Sequence, residues 1–410
     1  MGELSTNNAL SVASKKRIQS LDVLRGIVMV IMALDHVRDF FYNVDATNAA
    51  TVVTDPTNIN TTTPALFFTR WITHFCAPVF VFLSGTSAWL MSRSKSKGEL
   101  SRFLIQRGLW LVFIEVVVIT FGWSFDPLYH LFFLQVIWAF GISMFVLGLL
   151  VYLPANLILC LGFIIVFGHN VLDYPVVERS IQTGFLSNLS YFAQFTVYDI
   201  VQGHSLMIIY AFLPWTGVML LGYGFGKVYG PDFSAGRRKK LLVAIGSGLI
   251  LIFLLLRFTN VYGDRVAWKI HPRGWMYTFL SFLNVNKYPP SLLYLCITLG
   301  PALIVLSLLE NFGNRFTRLM RIYGRVPLFY YILHIYIIHM LVVIAFYASG
   351  YTSADIINPQ SPFYFCPPDF GFSLPVVYMI WIFVVIVLYP LCKRYNEYKS
   401  THHKWWLDYL

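Results

Sequence analysis

The amino-acid sequence predicts an all-α, polytopic membrane protein of about ten transmembrane helices, with its N- and C-termini in the cytoplasm. Three observations predict it. Of 410 residues, 57% are hydrophobic and 12% charged, with mean hydropathy +0.65; a soluble domain carries about twice that charge fraction. Apolar runs recur from residue 18 to 392 with short polar breaks between them. The basic residues collect in alternate breaks.

The expected spans are roughly 18–43, 64–92, 103–122, 131–153, 155–170, 206–226, 241–260, 290–309, 326–348 and 373–392. Each is near the length a helix needs to cross ~30 Å of hydrocarbon, 155–170 being short. Only helices satisfy every backbone group in lipid with spans of this length. The organisation expected is an N-terminal tail (1–17), one transmembrane domain (18–392) and a C-terminal tail (393–410). The first tail ends in Ser14-Lys15-Lys16-Arg17. It does not read as a cleavable signal peptide, because the apolar run after it is long enough to span.

Orientation follows from charge. Lys15, Lys16 and Arg17 precede the first span, and Arg93, Lys95, Lys97, Arg102 and Arg107 flank the second break. Lys227 and Arg237 to Lys240 follow the sixth span. Arg315, Arg318, Arg321 and Arg325 follow the eighth, and Lys393, Arg394, Lys399 and Lys404 close the chain. These are 21 of the 30 basic residues, so that side is cytoplasmic. Ten spans fit this parity; nine or eleven do not. A formal charge of +11 distributed this way points to membrane topology and away from nucleic acid. The surroundings expected are a lipid bilayer, specifically a bacterial inner membrane.

Cys76, Cys160, Cys296 and Cys392 lie in apolar runs and Cys366 in an outer loop, so neither a disulfide framework nor a metal site is expected. The outer loops 44–63, 171–205, 261–289 and 349–372 are long. Their aromatics, among them Tyr191, Trp268, His271, Trp275 and Phe370, suit either an interfacial belt or a sugar site.

Charged residues inside a span are costly and usually functional. The first span holds Asp22, Arg25, Asp35, His36, Arg38 and Asp39. Arg25 and His36 are eleven residues apart, three turns plus about 20°, so they share a face ~16 Å apart along the axis. Arg25 either pairs with Asp22 as an anchor or meets an anionic ligand near the cytoplasm. His36 is either a bonded core histidine or a proton acceptor, with Asp35 or another carboxylate to orient it. His74 and Arg70 share a face of the second span, before Pro78, which is expected to kink it. Glu115 is expected to neutralise Arg25 or Arg107. His334 and His339 point about 140° apart, and His334 is preferred. Lys287 either contacts a substrate or snorkels. Arg315, Arg318, Arg321 and Arg325 recur at helical spacing, to meet anionic lipid or a nucleotide. Gly222 and Gly226 form a small-residue pair, for helix packing or a homodimer face.

The run Ser20-Leu21-Asp22-Val23-Leu24-Arg25-Gly26, followed by histidine at Arg-x10-His, resembles the transmembrane acyltransferases. In particular it resembles bacterial relatives of heparan-α-glucosaminide N-acetyltransferase. The likeness continues through Ala77-Pro78 to Ser84-Gly85-Thr86-Ser87, through Lys287-Tyr288-Pro289-Pro290-Ser291 to Tyr294, and through Gly324-Arg325-Val326-Pro327 to His334. The histidine spacing is similar to that of the acyltransferase-3 branch. The resemblance implies transfer of an acyl group, commonly acetyl, from cytosolic acyl-CoA to an extracytoplasmic acceptor such as a sugar or small amine. It implies His36, Asp35 and His74 as catalytic candidates. Arg25, Arg321, Arg325 and His334 would serve acetyl-CoA, and Lys287, Tyr288 and Ser291 the acceptor. His36 would act as general base or as acyl carrier. The competing expectations are a proton-coupled secondary transporter, since ten spans with ionisable residues at depth suit one, and a glycan- or lipid-binding scaffold.

Overall fold

The computed structural model describes residues 18–42, 55–181, 184–193, 195–310, 312–358, 361–402 and 404–408. The expected N-terminal tail and positions 44–54 of the first outer loop lie outside the described residues.

Helix α1 (Gln19–Phe41) is the axis of the molecule. It carries Asp22, Arg25, Asp35, Arg38 and Asp39, too many charges for lipid contact. Other helices therefore surround it: α2 (Pro64–Thr73), α3 (Cys76–Ser92), and the last four helices of the chain. Between them run α4 (Lys97–Ser124), α5 (Val136–Leu150), α6 (Ala155–Gly168), α7 (Phe212–Phe225), α8 (Ala235–Thr259) and the short α9 (Trp275–Leu283). The remaining four are α10 (Leu292–Leu309), α11 (Arg315–Arg325), α12 (Pro327–Ala348) and α13 (Leu374–Thr401). Among the described residues, seven helical segments are long and apolar enough to cross a membrane: 64–92, 97–124, 155–173, 235–259, 292–309, 327–348 and 374–401.

The expectation of an all-α fold needs one correction. A three-stranded sheet, ordered β1-β3-β2, joins β1 (Leu131–Leu134), β2 (Thr196–Val201) and β3 (His204–Ile208). β1 runs parallel to β3 and β2 antiparallel to it. Gly203, with φ +82°, turns the hairpin. The expected spans 131–153 and 206–226 thus each open on a strand, with helix beginning at Val136 and Phe212.

The second span is two helices. Pro78 has no N–H to offer the carbonyl of His74, four residues earlier, and the chain breaks there between α2 and α3. The Tyr294 hydroxyl, reaching from α10, donates to that carbonyl at 2.8 Å. A polar group freed at membrane depth is thereby satisfied.

Two glycine crossings fix the packing. A Cβ on Gly26 would lie 1.8 Å from the Met320 carbonyl oxygen, and one on Gly324 would lie 1.8 Å from that of Asp22. Helices α1 and α11 therefore touch backbone to backbone. Gly222 meets the Phe82 carbonyl oxygen in the same way, at 2.1 Å, and a Cβ on Gly226 would meet that of Trp89 at 2.5 Å. The small-residue pair on α7 is thus used inside the chain against α3. It supplies no basis for a homodimer.

Candidate active site

A cavity of about 850 Å³ runs beside α1. Asp22, Arg25, Met29, Met32 and His36 line it, at spacings of three and four residues, which is one face of a helix. At one end stand Arg25, Arg93, Arg107, Arg325 and Lys399; at the other are Asp35, His36, Tyr210, Lys287 and Tyr331.

At the basic end, Arg25 donates to the Leu83 carbonyl at 2.9 Å and to the Ser87 hydroxyl, and lies 3.4 Å from Asp22. Asp22 also faces Arg325 at 3.6 Å. The Gly26–Gly324 crossing brings these three side chains together. Arg321 sits one turn earlier on α11 and lines a separate, smaller pocket with Gln19 and Arg318. It is therefore not part of this site.

At the deep end, His36 Nδ1 lies 2.6 Å from His334 Nε2, and the rings stack with centroids 4.8 Å apart. His334 Nδ1 lies 3.0 Å from the Tyr330 carbonyl oxygen. A carbonyl only accepts, so His334 carries its proton on Nδ1. Its Nε2 then accepts, His36 Nδ1 must donate, and His36 Nε2 is left as a bare lone pair. Nε2 has no hydrogen-bond partner among the described residues, while the ring lines the cavity. The edge of Trp123, 4.9 Å away, closes one side. An imidazole so held can take a proton or accept an acyl group.

Against families of known proteins, residues 17–257 match the model of the heparan-alpha-glucosaminide N-acetyltransferase catalytic domain. The chain belongs to this family. No curated protein matches it. Family membership implies a transferase of acetyl groups, and with the seven apolar helical segments it makes the chain an integral membrane protein. Enzymes of this family generally depend on acetyl-CoA. Among the described residues, no group of three or more metal-ligating side chains is present.

The matched stretch holds Arg25, Asp35, His36 and His74, whereas Lys287, Arg325 and His334 come from beyond it. Several expectations for these family residues change. Asp35 does not orient His36: its carboxylate is held by Arg38 at 2.7 Å and by Arg70. His334, expected among the acetyl-CoA residues, instead meets the His36 ring and does not itself line the cavity. His74 is buried at the break before α3, its ring against Tyr294, and it does not line the cavity. Among the described residues Glu115 has no arginine partner; it accepts the Trp138 N–H at 2.9 Å and so caps α5. Ser291 caps α10, accepting from the Tyr294 N–H at 3.0 Å and donating to Asp264 at 2.7 Å, and is not in the cavity.

Lys287 does line the cavity, with Tyr288 behind it. The Tyr288 hydroxyl accepts from Arg70 at 3.3 Å. Burial pushes this phenol up, but the Lys287 ammonium and the Arg70 guanidinium outweigh burial and hold it below its ordinary value. Asp264 is pushed up by burial, against the opposing hydrogen bond from Ser291. Fully buried Arg257 donates to the carbonyls of Val266, Ser281, Phe282 and Asn284, pinning the segment that carries Lys287. Tyr210 and Trp123 stand out by nothing local, because one aromatic among 72 residues of Phe, Trp and Tyr type carries no signal of its own.

Proposed function

We propose that this chain transfers an acetyl group from cytosolic acetyl-CoA to an amine or hydroxyl on an extracytoplasmic acceptor, such as a sugar or small amine. One arrangement carries the proposal: the bare Nε2 of His36 at the deep end of a cavity whose other end is basic. The anionic nucleotide of the donor suits Arg25, Arg325 and their neighbours. The ~16 Å of helix from Arg25 to His36 matches the reach of an extended pantetheine arm.

His36 Nε2 takes the proton of the acceptor as its nitrogen or oxygen bonds to the thioester carbonyl carbon. The carbon–sulfur bond then breaks, and the proton passes to the departing thiolate. General base catalysis of this kind contributes about 10²–10⁴-fold. The same lone pair serves a two-step route in which Nε2 itself carries the acetyl group. Both routes keep the Arg-x10-His relation of the acyltransferase-3 branch, and both need His334 to hold the tautomer.

The topology proposed is ten crossings, with residues 18–392 as the membrane domain and both termini cytoplasmic. Helices α1, α5 and α7, the last prolonged by a 3-10 turn to Tyr229, supplement the seven long apolar segments. The side assignment rests on the basic loops, and a bacterial inner membrane suits it. No observation favours the proton-coupled carrier.

Purified protein supplied with acetyl-CoA and glucosamine tests the proposal. His36→Ala is expected to abolish transfer while acetyl-CoA still binds. Full turnover by that variant would overturn the assignment.

A further inference from the structure

We infer that the small pocket where α10 turns into α11 holds the headgroup of an amine-bearing phospholipid of the phosphatidylethanolamine type. Its phosphate lies on Arg318 and Arg321 and its ammonium on Glu310. This site is separate from the cavity beside α1 and does not depend on the acetyltransferase reading.

The pocket, about 250 Å³, lies where the apolar segment 292–309 ends and α11 begins, which in a bilayer is headgroup depth. Two features of opposite charge line it. Arg318 and Arg321 stand one turn apart on α11. Among the described residues neither guanidinium has a hydrogen-bond or ion-pair partner. Glu310 closes α10, its side chain 4% exposed. One carboxylate oxygen, Oε1, accepts from Arg238 on α8. The other, Oε2, is buried and has no donor among the described residues. A buried carboxylate oxygen left without a donor is costly.

A simple anion would satisfy the guanidiniums but leave Oε2 open, with its own charge beside the carboxylate. A simple cation would serve Oε2 but stand against two arginines. A phosphate joined by a short ethylene arm to an ammonium meets both demands. The guanidiniums take the phosphate oxygens, and the ammonium N–H groups donate to Oε2. The surroundings name the rest of the ligand. Phe312 lines the pocket and is exposed, and so are Leu308 and Phe316, each next in the chain to a lining residue. This apolar rim suits acyl chains and offers nothing to a soluble phosphate ester. Gln19 and Val23 complete the pocket from α1, so the bound headgroup joins α1, α10 and α11.

Native mass spectrometry of the full chain in detergent tests this, with dimyristoyl phosphatidylethanolamine, phosphatidylcholine and phosphatidylglycerol as probes. The first two carry the same charges, but choline has no N–H to donate. Wild type is expected to bind the ethanolamine lipid about tenfold more tightly than the choline lipid. In Glu310→Gln that preference is expected to fall to about one, because an amide replaces Oε2. The double variant Arg318→Gln/Arg321→Gln is expected to weaken both lipids about tenfold or more. Neither arginine is buried, so this variant is expected to fold. Equal binding of the two lipids by wild type overturns the inference whether or not Glu310→Gln folds, and so does a preference that survives in Glu310→Gln. Phosphatidylglycerol held as tightly as phosphatidylethanolamine marks an anion site only and also overturns it. O-Phosphoethanolamine presents the same headgroup without chains. If it displaces the lipid at equal concentration, the occupant is a soluble ester and the lipid assignment falls.

Discussion

Nδ1 of His36 and Nε2 of His334 stand 2.6 Å apart, although 298 residues separate them in the chain. His334 is a positioning residue for His36: through the Tyr330 carbonyl it decides which nitrogen of His36 is free. His334→Leu removes the acceptor and is expected to lower kcat by about 10²-fold, with little change in KM for acetyl-CoA. In His334→Gln a side-chain oxygen still accepts, so part of the rate should return. Steady-state kinetics separate the two, and equal losses in both folded variants would argue against the pairing.

The donor end is checked by calorimetry with CoA. Arg25→Ala and Arg325→Ala are each expected to weaken binding about ten- to a hundredfold, on the scale of ~1.5–3 kcal/mol for a hydrogen bond to a charged group. An unchanged Kd in Arg25→Ala would remove that residue from the donor site.

Tyr294→Phe leaves the His74 carbonyl without its 2.8 Å donor. The expected cost is about 1–3 kcal/mol, read as a lower Tm in detergent. Pro78→Ala returns an N–H to the same carbonyl, so the Tyr294→Phe penalty should shrink in that background. A penalty of the same size in both would show that the hydroxyl matters elsewhere.

Gly26→Ala and Gly324→Ala each drive a methyl into a backbone oxygen that no rotamer change can move. Losses at or above the ~3 kcal/mol upper end usual for overpacking are expected, seen as a fall in Tm or in monodisperse yield. Gly222→Val should do likewise, harming the fold and not a subunit contact; size-exclusion chromatography with static light scattering distinguishes these.

The central helix was legible in the sequence because its signal is local. Charges in an apolar run, and the angular match of Arg25 with His36, follow from helix period alone. His334 as the partner of His36 was not legible, because tertiary packing joins them. Asp35 departs from expectation for a related reason: Arg38 one turn on, and Arg70 on another helix, claim its carboxylate. A lone Glu115 in an apolar run suggests a cation partner, whereas the group it meets is a helix end. The sheet did leave a trace. Thr196 to Val201 and His204 to Ile208 are rich in β-forming residues and are parted by Gln202-Gly203, a two-residue hairpin signal. Inside a long outer loop such a run reads as connection, and β1 lies hidden at the head of an apolar run.

Arg25 and His36 ride on one unbroken helix, and that helix is locked to α11 at Gly26 and Gly324. Their separation is therefore a rigid ruler. On the proposed mechanism, it measures the donor by length before any chemistry begins. A thioester on a truncated arm could occupy the anchor or the base, but not span both.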